Sequence, residues 1–238
     1  PAAGKGTVSN NNDGTFSYNP GGHFQSLAVG ETQTVALTYT ATDDSGTDLA
    51  TSENGSVTIT VTGTNDAPTV ASIEAETANE DGSTVTINLL ATANDVDGDD
   101  LDTSSVVVTS SDSRTVSFSV VNETGVLSID PGQFNDLALS ESVTLTASYN
   151  VIDGNGGLVA NTATLVITGK NDVPTVTGLA VSANEDGGAV TTISFLGSDV
   201  DTSDTLTYSI TNPAAGKGTV SNNNNGTFNY DPGADFQS

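Results

Sequence analysis

Apolar and polar residues alternate along much of the chain with a period of two. In SVTITVTG, Val57, Ile59 and Val61 alternate with Ser and Thr, and residues 35–39 and 143–151 show the same alternation. Because successive side chains of a strand point to opposite faces, this pattern, rich in Val, Ile, Thr and Tyr, predicts half-buried strands. Further strands are predicted at 85–89, 116–120, 127–129, 193–195 and 206–210.

Turn-forming residues separate these strands at short intervals. NNDGT (11–15) and NNNGT (223–227) place Asp-Gly or Asn-Gly between predicted strands, and these residues tolerate the positive φ of hairpin turns. No stretch has the apolar spacing of an amphipathic helix. About seven short strands in each hundred residues or so favour an all-β fold of immunoglobulin-like Greek-key sandwiches.

The sequence also repeats itself. Residues 1–26 and 213–238 are identical at 21 of 26 positions, with an offset of 212. The decapeptides VTGTNDAPTV (61–70) and ITGKNDVPTV (167–176) recur at half that offset, so the period is about 106 residues. A fixed period of this length indicates one domain per repeat in a tandem array.

This period predicts three domains. They are the C-terminal part of one repeat at 1–66, a complete repeat at 67–170 and the N-terminal part of a third at 171–238. An incomplete β domain leaves strand edges unpaired. We therefore expect neighbouring repeats as partners, and head-to-tail association of copies through the two end fragments.

The charge is strongly one-sided. The 238 residues contain 30 Asp and Glu but four Lys and Arg, for a net charge of −26. This charge repels nucleic acid and anionic membrane surfaces, and no apolar run is long enough to insert into a membrane. The chain contains no Cys and one His, which excludes thiol nucleophiles, disulfides, thiolate metal sites and His-rich zinc sites.

Acidic residues recur at matched repeat positions. ANEDG occurs at 78–82 and 183–187, and the Asp-x-Asp of NDVDGDDL (94–101) recurs in SDVDTSDTL (198–206). Carboxylates two residues apart lie on one side of an extended chain, where their repulsion favours a bound cation. Ca²⁺ suits such a site because it takes six to eight oxygen ligands, whereas Mg²⁺ keeps more water and Zn²⁺ prefers nitrogen or sulfur.

The acidic segments have two other interpretations. DVDGDD resembles the start of an EF-hand loop, but strands flank it and no Glu lies twelve positions along from Asp95 or Asp97. A salt-adapted protein with solvated acidic loops would also be acidic without binding a specific ion. Recurrence at matched positions favours a specific site over a merely acidic surface.

The order of motifs resembles a known family. An Asn-Asp-x-Pro linker, an Asn-Glu about 14 residues later, Asp-x-Asp, LTYSI (206–210) and a late Asp-Gly resemble cadherin-like repeats. More specifically, the chain is similar to the VCBS and cadherin-like repeats of large bacterial surface adhesins exported by type I secretion. The resemblance implies an extracellular protein in which calcium ions lie between successive domains.

The resemblance also implies which residues bind these ions. The first junction would use Asn65, Asp66, Asp95, Asp97, Asp153 and Glu31, and the second Asn171, Asp172, Asp199, Asp201, Glu80 and Glu141. Asp43 would serve a junction upstream and Glu185 one downstream. Pro after Asn-Asp fixes φ and favours an extended preceding residue, so the decapeptide is expected to be a linker that calcium stiffens.

The predicted function is a calcium-rigidified spacer of a cell-surface adhesin or fibre that supports adhesion or biofilm formation, and no enzyme activity is expected. His23 is replaced by Asp235 at the matched position, which argues against catalysis there. A glycosidase pair would need aromatic platforms, and the chain has no Trp. A glycan- or protein-binding module of a secreted protein, or a spacer within a secreted enzyme, stays as the alternative.

Overall fold

The computed structural model describes residues 1–47 and 51–236. These residues form eighteen strands and two short 3₁₀ turns, so the chain is all-β as predicted. The strands are Thr7–Asn10 (β1), Phe16–Asn19 (β2), Thr32–Tyr39 (β3), Gly55–Thr62 (β4), Thr69–Val70 (β5), Glu76–Asn79 (β6), Val85–Asn88 (β7), Ala93–Asn94 (β8), Asp102–Ser110 (β9), Phe118–Val121 (β10), Val126–Ile129 (β11), Ser142–Ile152 (β12), Leu158–Thr168 (β13), Thr175–Val176 (β14), Val190–Ser194 (β15), Gly197–Ser198 (β16), Thr219–Asn222 (β17) and Thr227–Asp231 (β18). The 3₁₀ turns are Asn122–Thr124 and Pro131–Phe134.

The chain divides into two compact units, each drawn from several segments. The first comprises residues 1–76, 85–129 and 145–165, and the second comprises 77–84, 130–144 and 166–238. The middle of the chain forms the largest sheets, in the orders β6-β13-β12-β9 and β10-β11-β7. The predicted boundaries of the three repeats stay predictions.

Strand β12 shows why the alternating pattern folds as it does. Every second residue from Val143 to Val151 is buried, and the residues between them are half-buried or exposed. Burial of a Val or Leu side chain contributes about 1.5–3 kcal/mol, so this one strand supplies a large part of the core. The hydroxyl of Tyr149 donates to the carbonyl of Leu89, just after β7, at 2.9 Å.

One hairpin occurs three times. The strand pairs β1–β2, β10–β11 and β17–β18 are antiparallel and occupy equivalent repeat positions. In the turns of the first and third copies, Gly14 and Gly226 have positive φ as expected, whereas the second positive φ of each turn lies at Asn12 and Asn224 and not at Asp13 and Asn225. These turn residues therefore fix the hairpin register.

Two strand predictions need correction. The strand expected at 116–120 lies at Phe118–Val121, and the strand expected at 206–210 does not form. The second segment aligns with the start of β9, which pairs with β12 in the complete repeat. Among the described residues, no strand pairs with residues 206–210, so their main chain forms no ladder.

Candidate metal centres

A two-residue ladder brings the first linker to the first Asp-x-Asp loop. Strand β5 begins just after Pro68, and β8 ends just before Asp95; Thr69 pairs with Asn94 and Val70 with Ala93. Counting three residues outward along both strands places Asp66 opposite Asp97. The main-chain N–H of Asp66 donates to Oδ2 of Asp97 at 2.7 Å.

Further hydrogen bonds assemble the first acidic cluster, defined here as Asn65, Asp66, Asp95, Asp97 and Asp153. Asn65 Nδ2 donates to Asp153 Oδ2 at 2.8 Å, and the N–H of Asp97 donates to Asp95 Oδ1 at 2.8 Å. Asp153 is buried. The structure thus brings together five of the six residues predicted for the first junction.

The second linker is built in the same way. In β14 and β16, Thr175 pairs with Ser198, so the same outward count places Asp172 opposite Asp201. The N–H of Asp172 donates to Asp201 Oδ2 at 2.8 Å, and the N–H of Asp201 donates to Asp199 Oδ1 at 3.2 Å. Local register alone therefore reproduces the arrangement at both linkers.

A buried glutamate joins this second arrangement. Glu80 accepts a hydrogen bond at Oε1 from the main-chain N–H of Lys170, next to Asn171. Both Glu80 and Asp201 are 1% exposed. We call Glu80, Asn171, Asp172, Asp199 and Asp201 the second acidic cluster; Asn171 itself donates to the carbonyl of Asp172 at 2.6 Å.

Several buried oxygens in these clusters lack hydrogen-bond partners. Among the described residues, the buried side-chain atoms without a partner are Asn65 Oδ1, Glu80 Oε2, Asp95 Oδ2, Asp97 Oδ1 and Asp201 Oδ1. All five are oxygens, and all five belong to residues predicted as calcium ligands. A buried polar atom without a partner is costly, so this donor set fits a hard cation that takes oxygen ligands.

The electrostatics of the two clusters differ. Burial raises the pKa of Glu80; the N–H of Lys170 opposes this shift, and the charges of Asp201, Asp81 and Asp172 add to it. Burial would also raise the pKa of Asp153, but hydrogen bonds from Asn65, Asn155 and Gly157 hold it below its ordinary value. Glu80 is therefore the carboxylate with the greater need for a positive charge.

The remaining predicted ligands make local main-chain contacts. Glu31 accepts from the N–H of Ala28 at 3.3 Å, and Glu141 accepts from the N–H of Ala138 at 3.1 Å. The carbonyls of these two glutamates accept from Gly63 and Gly169, which lie two residues before Asn65 and Asn171 respectively. Asp43 accepts from the N–H of Ser45 at 2.9 Å, and Glu185 is exposed.

Two residues that orient the clusters were missed by sequence reasoning. Gln25 Nε2 donates to Asp66 Oδ2 at 3.1 Å, and Asn135 Nδ2 donates to Asp172 Oδ2 at 2.8 Å. They follow Phe24 and Phe134, so both occupy the same position of the repeat. The sequence signal for this position was a side-chain amide that occurs in both copies of the repeat, as Gln25 and as Asn135.

Asp99 is a third residue near the acidic clusters that was not among the predicted ligands. Its carboxylate and those of Asp95 and Asp97 each place an oxygen within 4.8 Å of the others, and Asp99 Oδ2 accepts from Asn155 Nδ2 at 2.8 Å. Asn155 also donates through its N–H to Asp153. Asp99 lies two residues beyond Asp97, so the alternation that indicated Asp95 and Asp97 extends to it.

Comparison with known families adds to this geometry. Residues 64–168 match the family model of the cadherin-like domain, and residues 171–238 match that of the bacterial Ig domain. Domains of these families are typical of extracellular adhesion-type repeat modules and are typically non-catalytic. No curated protein sequence matches the chain.

The solved structures that the chain matches include cadherins. Mouse Cadherin-23 EC22-24 is 17% identical, covering 91% of this chain and 68% of its own, with a TM-score of 0.41. Protocadherin Gamma B7 extracellular cadherin domains 1-4 are 15% identical (94% and 55% covered, TM-score 0.40), and the human Desmocollin-1 ectodomain is 18% identical (83% and 39% covered, TM-score 0.33).

The chain spans 39%, 55% and 38% of the first three solved structures that it matches. In the part of the chain that the structure describes, no helix is long and apolar enough to cross a membrane. The strands, sheets and family matches agree on the class of fold. The chain is an all-β protein in which residues 64–168 are similar to cadherin-like domains and residues 171–238 to bacterial Ig domains.

Proposed function

We propose that this chain is a calcium-rigidified spacer of an extracellular adhesin. In this proposal each Asn-Asp linker becomes stiff when Ca²⁺ binds the acidic cluster around it. The observation that carries the proposal is the set of five unpartnered buried oxygens, all of which belong to predicted ligands.

Repulsion between the carboxylates explains why a bound cation would stiffen the linker. Carboxylates about 4 Å apart repel by about 4 kcal/mol at the effective dielectric near a protein surface. The chain has too few Lys and Arg to neutralise its carboxylates. A bound divalent cation would supply the missing positive charge and hold the oxygens of linker and loops together.

The residues of the chain prepare this site before any ion binds. Asp66 N–H fixes Oδ2 of Asp97 and leaves its Oδ1 without a partner, and Asp172 N–H does the same for Asp201. Asn65 connects the linker to Asp153, while Gln25 and Asn135 orient the linker aspartates. Main-chain N–H groups of the linkers and nearby side-chain amides thus position the acceptor oxygens.

The repeats support a finer identification as part of this proposal. Tandem repeats of about 106 residues, a net charge of −26 and a match to the bacterial Ig domain support a stalk of VCBS-like repeats in a large, type I secreted bacterial adhesin. Such a stalk would hold an adhesive region away from the cell and support adhesion or biofilm formation.

The test measures the same chain in calcium, in magnesium and in chelator at matched ionic strength. We expect saturable calcium binding by calorimetry, a higher unfolding temperature and a longer maximum dimension in X-ray scattering with calcium. Ligand that binds the folded state at a hundredfold excess over Kd stabilises it by about 2.7 kcal/mol per site. Equal melts and scattering curves in calcium and magnesium would instead indicate screening of a solvated acidic surface.

A further inference from the structure

The loop between β12 and β13 contains an Asn-Gly dipeptide. Asn155 and Gly156 lie in DGNGG (153–157), after β12 ends at Ile152 and before β13 begins at Leu158. Both residues of the dipeptide are exposed to solvent. In such a sequence the main-chain nitrogen of Gly can attack the side-chain carbonyl carbon of Asn, because Gly has no Cβ to block the approach. The loop therefore holds both reactants of a reaction that needs no enzyme.

The main-chain nitrogen of Gly156 is free to react. The N–H groups of its two neighbours, Asn155 and Gly157, donate to Oδ1 of Asp153 at 2.8 and 2.9 Å. Among the residues that the structure describes, the N–H of Gly156 has no hydrogen-bond partner. Its φ is +110°, and a Cβ at this position would meet nothing within 4 Å. No hydrogen bond has to break, and no neighbouring atom has to move, before this nitrogen can be approached.

The side chain of Asn155 is held by its nitrogen and not by its oxygen. Nδ2 donates to Oδ2 of Asp99 at 2.8 Å, and Oδ1 makes no hydrogen bond to any described residue. When Cγ is attacked, negative charge develops on Oδ1, which solvent can stabilise at this exposed position. The nitrogen held at Asp99 is the atom that leaves as ammonia.

A second Asn-Gly sequence, Asn54-Gly55, shows the opposite arrangement. The N–H of Gly63 donates to the carbonyl of Glu31. Hydrogen-bonded pairs alternate along an antiparallel ladder, so the regular register of β3 and β4 makes Tyr39 and Gly55 such a pair as well. A Cβ at Gly55 would also lie 2.5 Å from Cε1 of Tyr39. The nitrogen of Gly55 is therefore both engaged in the ladder and crowded by an aromatic ring.

We propose that Asn155-Gly156 is a site of spontaneous deamidation, which adds a negative charge beside the first acidic cluster. The nitrogen of Gly156 loses its proton and forms a bond to Cγ of Asn155, and the bond from Cγ to Nδ2 breaks to release ammonia. The product is a five-membered succinimide ring. Water then opens the ring at either carbonyl, leaving an aspartate or an isoaspartate at position 155.

The reaction changes what position 155 does in the loop. The amide of Asn155 donates to Asp99, whereas the product carboxylate repels Asp99 and the nearby Asp153. Isoaspartate also lengthens the main chain by one CH₂ group between the two N–H groups that bind Asp153. Deamidation therefore removes the contact between the loop at 153–157 and the loop at 95–99, and it makes the charge of the first acidic cluster depend on the age of the protein.

The Asn-Gly sequence of the third repeat provides a matched comparison for the charge. Oδ1 of Asn225 accepts from the N–H and the hydroxyl of Thr227, at 3.2 and 2.7 Å. The matched residue of the first repeat is Asp13, whose Oδ1 accepts from the same two groups of Thr15, at 3.0 and 2.6 Å. An added carboxylate at position 225 is therefore accommodated, and Asn225→Asp is the control for Asn155→Asp.

The first experiment follows the unaltered chain during incubation at neutral pH in chelator, by peptide mapping with mass spectrometry and by labelling with isoaspartyl methyltransferase. The peptide that contains Asn155 should gain the mass of deamidation and the label before the peptide that contains Asn54. Both signals should be lost in Asn155→Ser, since Ser45 occupies the matched position of the first repeat and donates through its N–H to Asp43. An Asn155 that stays unconverted, or that converts no faster than Asn54, would overturn the proposal.

The second experiment compares thermal melts of Asn155→Asp and Asn225→Asp in chelator, where the result does not depend on calcium binding. We expect a lower melting temperature for Asn155→Asp than for the unaltered chain, and a shift that shrinks as added salt screens the repulsion. Asn225→Asp should melt like the unaltered chain. Equal melting temperatures for the two variants would show that a charge at position 155 does not act on the first acidic cluster.

Discussion

The main-chain N–H of Asp66 donates to Oδ2 of Asp97 at 2.7 Å, and this bond connects the Asn-Asp linker to the Asp-x-Asp loop. It leaves Oδ1 of Asp97 buried and without a partner. The matched bond from Asp172 to Asp201 leaves the same atom of Asp201 free. One backbone register therefore leaves the same carboxylate oxygen of each loop buried and without a hydrogen-bond partner.

Removing charge from one loop should affect one cluster alone. In Asp95→Asn/Asp97→Asn, both side chains keep an oxygen acceptor for the local hydrogen bonds but lose their negative charge. We expect weaker calcium binding at the first cluster and a calcium-dependent gain in stability that is smaller by about 2.7 kcal/mol for each site lost at a hundredfold excess over Kd. Calorimetric titration and thermal melts in calcium and in chelator would measure both effects.

The matched control is Asp199→Asn/Asp201→Asn, which should reduce binding at the second cluster and leave the first intact. The two double variants should each retain part of the calcium response. Complete loss of the response or of the fold in either variant would be evidence against two separate sites.

Glu80 should have opposite effects with and without calcium. Its carboxylate is buried, and Oε2 has no partner. Glu80→Gln keeps an acceptor for Lys170 N–H but removes the charge. In chelator we expect a gain of about 1 kcal/mol in stability, since a buried charge without a partner is costly, and in calcium a smaller stabilisation than that of the unaltered chain. A variant that is less stable under both conditions would contradict a ligand role for Glu80.

The pH dependence of this effect has a definite sign. Because the folded pKa of Glu80 is raised above its ordinary value of 4.5, protonation favours the folded state. The stability that this gives is fully present below pH 4.5 and is lost as pH rises through the folded pKa. In chelator, the difference in stability between Glu80→Gln and the unaltered chain should therefore vanish below that pH and grow above it. A difference that is constant with pH would exclude titration of Glu80 as its cause.

The sequence predicted the strands well where the described residues provide a ladder partner. The alternation at 143–151 became β12, and the Asp-Gly and Asn-Gly turns became hairpin loops. The strand expected at 206–210 failed to form because alternation reports the face of a strand but not the presence of its partner. Tyr39 and Tyr149 show the same limit, since matched residues in matched patterns are 60% and 3% exposed.

For the clusters, residue type and spacing indicated the carboxylates but not their orienting partners. Asp66 and Asp97 are 31 residues apart in sequence, and their contact follows from the short β5–β8 ladder. Gln25 and Asn135 were missed because amides in loops carry no periodic signal. Their role depends on a contact with an aspartate 41 or 37 residues away.

Gly157 should be required for the loop of Asp153. A Cβ at this position would overlap Asp153 Oδ2 and lie 2.9 Å from Cα of Ala67. Gly157→Ala must therefore shift Asp153 or the linker, and we expect a cost of about 1–3 kcal/mol, as for overpacking, together with weaker calcium binding at the first cluster. Urea denaturation and calorimetry would measure the two effects.

Gly22→Ala is the matched control, because a Cβ there meets nothing within 4 Å and the other copy of the repeat has Ala234 at this position. Its effect on stability should stay within about 0.5 kcal/mol. If both glycine variants behaved alike, the close approach of Gly157 to Ala67 would have no energetic consequence.

The two matched tyrosines should differ in their contribution to stability. Tyr149 donates to the carbonyl of Leu89 and accepts from Asn161 Nδ2, both at 2.9 Å. Tyr149→Phe removes both bonds and leaves the Leu89 carbonyl without this donor, so we expect a loss of about 1–3 kcal/mol. Tyr39→Phe, at an exposed position, should change stability by less than about 0.5 kcal/mol. Denaturant unfolding followed by circular dichroism would compare the two variants, and equal losses would show that the bonds between the hydroxyl of Tyr149 and its two partners do not stabilise the sandwich.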